Sequence, residues 1–65
     1  MPSTAIEWAT WKDNVLSVKY RGGEAYDYFG VPEEVYRDYR AAGSKGQFVN
    51  LVIKPNYHYQ KRNQH

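Results

Sequence analysis

The chain has no cysteine. No disulfide framework or thiolate metal site can brace it, and a reducing cytoplasm is the expected compartment. Its two histidines, His58 and His65, sit near the C-terminal end, and a metal site built on them would need carboxylates brought over from the first half. No stretch approaches the roughly 18 apolar residues of a membrane span, and the first residues lack the basic segment followed by an apolar one that marks a leader. A soluble intracellular protein, complete from Met1 and with no membrane partner, is the expectation. Neither Ser17 nor Ser44 has a base nearby in sequence to activate it, so no enzyme activity, cofactor or metal is expected.

Acidic residues are missing from residue 39 onward. Residues 1–38 hold seven acids against Lys12, Lys19, Arg21 and Arg37, a balance of −3; residues 39–65 hold Arg40, Lys45, Lys54, Lys61 and Arg62 with no acid, a balance of +5. Such asymmetry suggests a basic face or tail aimed at something acidic, RNA before DNA, although a solvated basic end without a partner has the same composition.

Aromatic residues are abundant instead. At 65 residues the chain is a single domain. Ordering it costs on the order of 100 kcal/mol of conformational entropy, at roughly 1.5 kcal/mol per residue. Eleven aromatic side chains, seven of them tyrosine, give a small domain the area it needs to build a sufficient core.

The pattern reads as an α+β fold. A first strand over about 3–10 places Ile6 and Trp8 on one face and Glu7 and Ala9 on the other. Lys12, Asp13 and Asn14 form a turn, and the strand 15–20 alternates Leu16, Val18 and Tyr20 with Ser17 and Lys19. Arg21, Gly22 and Gly23 suit a hairpin turn, and 24–29 returns with Tyr26 and Tyr28 on one face and Asp27 on the other. The three strands form an antiparallel meander.

Gly30 ends the sheet and Pro32 starts a helix over about 32–42, with Glu33 and Glu34 in its first turn and Arg37 and Arg40 toward its end. Val35, Tyr39 and Ala42 should face the sheet, and Gly43 should close the helix in a left-handed conformation. Ser44 caps a shorter helix over about 44–53, with Phe48, Leu51 and Val52 on its apolar face. Pro55 should force Lys54 out of helical geometry. Both helices pack on one face of the sheet, a short extended segment follows, and 61–65 reads as a frayed tail.

These residues together resemble the KTSC domain, a short module named for its place at the C-terminus of some lysyl-tRNA synthetases and also found free-standing in bacteria and phages. The likeness rests on Ser3 and Ile6, on Leu16, Val18 and Tyr20, and on Tyr26-Asp27-Tyr28 followed by Val31-Pro32. It continues through the Ala42 to Ser44 corner with Gly46, Phe48, Asn50 and Ile53, and ends in Lys54, Tyr57 and Tyr59. The resemblance implies the architecture above and, through the synthetase context, a suggested link to RNA. With no synthetase domain within these 65 residues, a free-standing member is the expectation.

Candidate binding residues are Arg40, Lys45, Lys54, Tyr57, Tyr59, Lys61 and Arg62. Within 54–62 cations and rings interleave, as single-strand surfaces use charges for phosphates and flat rings for base stacking. Tyr57 and Tyr59 would equally close the core or a sheet edge, and Tyr26 and Tyr28 serve either as stacking platforms or as core rings. Asn50 either contacts a ligand or fixes the corner between the helices, and Gly46 allows close packing, one glycine being too few for a phosphate cradle. Two functions fit: a small non-enzymatic nucleic-acid-binding protein, or a module that docks on a larger protein through an aromatic patch. The oligomeric state is open.

Overall fold

Two tight turns organise the first half of the molecule. A computed structural model describes residues 6–62, in which Asp13 and Asn14 both take positive φ (53° and 65°) and join strand β1, Ile6–Lys12, to β2, Val15–Tyr20. Two consecutive left-handed residues give the turn whose twist matches that of antiparallel strands, and Asp and Asn tolerate that conformation better than most side chains. At the second turn Gly22 has φ +71°, and the Gly23 N–H donates to the Tyr20 carbonyl at 3.0 Å. Strand β3, Ala25–Phe29, then runs back antiparallel to β2. The expected first strand began at residue 3; residues 3–5 lie outside the described residues, and β1 reaches Lys12 rather than stopping at Thr10.

Gly30, at φ +77°, turns the chain out of the sheet into helix α1, Glu33–Ala41. Pro32 sits just ahead of that helix, and its carbonyl accepts the N–H groups of Val35 and Tyr36. Helix α2, Lys45–Phe48, begins after Ser44, whose hydroxyl accepts from the Gln47 N–H at 3.4 Å. It passes directly into a π-wound segment, Val49–Ile53, in which the Lys54 N–H reaches the Val49 carbonyl at 2.8 Å. Strand β4, Tyr59–Lys61, closes the described chain and pairs antiparallel with β3, so the sheet has four strands in the order β1-β2-β3-β4.

Both helices pack on one sheet face. The core cluster among the described residues is Leu16 and Val18 of β2, Tyr28 of β3, Val31, Tyr39 of α1, and Val49 and Ile53 of the π segment. The indole N–H of Trp11 donates to the Val31 carbonyl and the Val31 N–H to the Asn14 carbonyl, both at 2.8 Å, which ties the sheet-to-helix connection to the first hairpin. Trp11, Tyr36, Tyr39 and Phe48 continue from there as a row of ring contacts at 5.9–6.2 Å. Aromatic packing thus replaces the disulfides that a domain of this size often needs.

The structure corrects several expectations. Ile6 and Trp8 lie on opposite faces, because Ile6 pairs with Tyr20 and Trp8 with Lys19, leaving Glu7 as a bulge that flips the alternation. Ile6 joins the core with Ala9 and Trp11, while Trp8 is exposed on the far face. Leu51 is 72% exposed, and Val49 and Ile53 take the buried positions. Leu51 stands two residues from each of them, on the opposite side of the winding.

Gly43 is not left-handed: α1 ends at Ala41, and extended Ala42 (φ −68°, ψ 139°) makes the exit. Lys54 keeps helical angles (φ −57°, ψ −45°) despite the following Pro55. The helix ends there because Pro55 has no N–H to extend the ladder. Lys61 belongs to β4, and the Arg62 N–H donates to the Ala25 carbonyl at 2.8 Å, so ordered pairing runs to residue 62, while 63–65 lie outside the described residues.

Candidate functional site

Strand alternation gathers tyrosines on the helix side of β2, β3 and β4. Leu16 faces Tyr28 and Val18 faces Tyr26 across β2 and β3, and across β3 and β4 Tyr28 faces Tyr59 while Tyr26 faces Lys61. Because successive side chains point to opposite faces, Tyr20, Glu24, Tyr26, Tyr28, Tyr59 and Lys61 share the face that the helices cover only in part. Beyond the covered region a hollow of about 280 Å³ opens, walled by Tyr20, Tyr26, Tyr28 and Tyr59, with Glu24 and Lys54 also lining it. Lys54 arrives from the end of the π segment.

The rings hold one another in place. Tyr26 stands edge-on to both Tyr20 and Tyr59, at 5.8 and 5.7 Å, and Tyr59 lies tilted against Tyr28 at 5.5 Å. Tyr28 is the floor, buried in the core, whereas Tyr59 is 52% exposed on the sheet edge. Burial first, then a hydrogen bond with Tyr20, then the neighbouring phenols of Tyr20, Tyr59 and Tyr26, push the Tyr28 pKa well above the ordinary value of 10.0. Tyr39 is raised as well, chiefly by burial and then by Tyr36 and Tyr20. Both phenols are therefore neutral at physiological pH. What the hollow offers is flat apolar surface and hydroxyl groups, with one cation and one carboxylate.

The seven candidate residues do not form one surface. Lys54 and Tyr59 meet in the hollow, and Lys61 shares their face beside Tyr26. Tyr57 is half-buried against the core and does not line this hollow. Arg40 is exposed on α1 with its guanidinium 5.9 Å from the Tyr36 ring. The Lys45 ammonium donates to the Ala42 carbonyl at 3.3 Å and lies 5.9 Å from the Tyr39 ring, bracing the corner between the helices.

Arg62 is on the opposite sheet face. Its Nη2 donates to Asp27 Oδ1 at 2.8 Å and to Ser17 Oγ at 3.2 Å, the Ser17 hydroxyl donates to the same carboxylate at 2.7 Å, and the guanidinium lies 6.0 Å from the Trp8 ring. Asn50 is exposed on the π segment, and among the described residues no side-chain bond ties it to the corner. Sequence reasoning missed Tyr20 and Glu24 as members of the site. The available signal was the alternation of 24, 26 and 28; the missing one was the pairing of β4 beside β3, which brings Tyr59 to them.

Comparison with known proteins places this architecture. Residues 2–57 match the KTSC domain family model. A protein of Tsukamurella paurometabola is 42% identical over 57 residues, covering 85% of each chain. A lysine–tRNA ligase of Nostoc punctiforme is 36% identical over 50 residues, covering 77% of this chain but 9% of that enzyme. The crystal structure of a KTSC domain protein from Yersinia pestis superposes with a TM-score of 0.86 at 32% identity, over 97% of this chain and 92% of that one. On the strength of both sequence and fold, the chain belongs to the KTSC domain family.

Proposed function

We propose that the protein is a non-enzymatic binding module for single-stranded RNA, and that its working surface is the tyrosine hollow rather than the basic half as a whole. The observation that carries this reading is the meeting of Lys54 with Tyr26 and Tyr59 in one open hollow, with Lys61 alongside on the same face. An exposed ring on a sheet edge is a stacking platform worth roughly 1–3 kcal/mol per base, and two ammonium groups beside it suit the adjoining phosphates. The similarity to a segment of a lysine–tRNA ligase, an enzyme whose name includes an RNA, is in keeping with this reading. The rival, docking on a protein, would use the exposed apolar side chains Trp8, Phe29 and Leu51. These are dispersed: Trp8 and Phe29 lie on the far sheet face and Leu51 on the π segment, and isolated exposed apolar residues are ordinary on a protein surface.

Fluorescence anisotropy with short single-stranded RNA at several salt concentrations tests the proposal. Each phosphate neutralised contributes about 0.7 to the slope of log affinity against log salt for a single strand. Replacing Lys54 and Lys61 together by Gln should lower the slope by up to about 1.4. Tyr59→Ala should weaken binding with the slope nearly unchanged. Absence of binding by the parent at low salt would refute the RNA reading and favour a protein partner.

A further inference from the structure

An acidic residue in a site suited to a polyanion needs an explanation. Glu24 lines the hollow together with Lys54 and the tyrosines, and its backbone carbonyl accepts the Tyr20 N–H at 3.2 Å, continuing the register that sets Val18 opposite Tyr26 and Leu16 opposite Tyr28. A carboxylate there repels phosphates and lowers general affinity for nucleic acid. It also accepts hydrogen bonds through two oxygens and donates none, so it distinguishes bases by the donors on their edges.

Resting on the RNA reading above, we propose that the hollow is a guanine-selective pocket: the Glu24 carboxylate accepts from N1–H and the 2-amino group of one guanine, which stacks on Tyr59, while Lys54 holds an adjoining phosphate. Guanine presents two adjacent, parallel N–H donors on its Watson–Crick edge. Adenine and cytosine present one exocyclic amino group beside an acceptor nitrogen, and uracil presents one N–H flanked by two carbonyls that a carboxylate repels. Size agrees with chemistry: at about 280 Å³ the hollow falls just below the range of roughly 300–1,000 Å³ usual for whole ligands, so it suits a single base rather than an extended cofactor.

The test uses the whole protein with short RNAs of uridine carrying one central guanosine, adenosine or cytidine, or none, measured by anisotropy at one salt concentration. The parent should prefer the guanosine strand by about tenfold, within the range for a good bidentate base contact. Glu24→Gln should erase that preference while binding the all-uridine strand more tightly, because a repulsive charge is gone; circular dichroism verifies that the exposed substitution leaves the fold intact. Equal binding of all four strands by the parent would overturn guanine selectivity while leaving the RNA reading in place. Guanosine preference undiminished in Glu24→Gln would overturn the role of Glu24. No binding of any strand would remove the RNA reading and this inference with it.

Discussion

Arg62 separates holding the fold from binding a ligand. Along the sequence it is one of five cations in the acid-free stretch 39–65; in the structure it anchors β4 through Asp27 and Ser17. Arg62→Gln removes a hydrogen-bonded ion pair at 2.8 Å, a second hydrogen bond at 3.2 Å and the guanidinium near Trp8. Bonds to charged groups contribute about 1.5–3 kcal/mol when buried, but the side chains here are 41% and 24% exposed, so solvent screening brings the pair toward about 1 kcal/mol. The ring contact adds about 0.5 kcal/mol at an exposed site. A loss of about 1–1.5 kcal/mol should lower Tm by roughly 5–10 °C in a domain of this size. A thermal double-mutant cycle with Asp27→Asn should return a coupling of about 1 kcal/mol. RNA affinity and its salt slope should be unaffected, since Arg62 points away from the hollow. Zero coupling and an unchanged Tm would show that β4 is not held as described.

Three further perturbations probe the packing. Leu16→Ala, at a fully buried position opposite Tyr28, should cost about 2–5 kcal/mol in a denaturant titration, and parental stability would contradict the β2 register. Gly43→Ala should be neutral or stabilising by about 0.4–1 kcal/mol, because its φ is not left-handed and an added methyl would meet nothing within 4 Å; a drop in Tm would put the corner conformation in question. Raised phenol pKa values mean that above about pH 10 the unfolded chain releases protons that Tyr28 and Tyr39 keep in the fold. Their contribution is complete below the ordinary value of 10.0 and fades as pH climbs past it, so stability should fall there by up to about 1.4 kcal/mol per pH unit per group. Denaturant titrations between pH 9 and 11.5 should show Tyr28→Phe to be less alkali-sensitive than the parent, and identical pH dependence would refute the assignment.

The meander was readable in the sequence because its signals are local. Leu16, Val18 and Tyr20 alternate strictly, and Asp13-Asn14 and Gly22 mark turns by backbone chemistry that needs no tertiary partner. What eluded reading depends on partners distant in sequence. Tyr59–Lys61 is too short to announce itself as a strand and exists as one because β3 offers an unpaired edge. Trp8 changes face through a bulge at Glu7 that no alternation count detects. In the run from Phe48 to Ile53 every residue except Asn50 is apolar, so composition alone could not choose between the Leu51 side and the Val49–Ile53 side. Of the candidate site, Lys54, Tyr59 and Lys61 were legible as interleaved cations and rings. Arg40, Lys45 and Arg62 share their charge but not their location, and a net charge carries no information about which face a side chain occupies.

The most direct test of the central claim is an amide chemical-shift map of the protein titrated with short single-stranded RNA. The account predicts perturbations confined to Tyr20–Tyr28, Lys54 and Tyr59–Lys61, with Arg37, Arg40 and Trp8 unmoved. Shifts centred on α1 or on the far face around Trp8 and Phe29, or none at all at low salt, would contradict it.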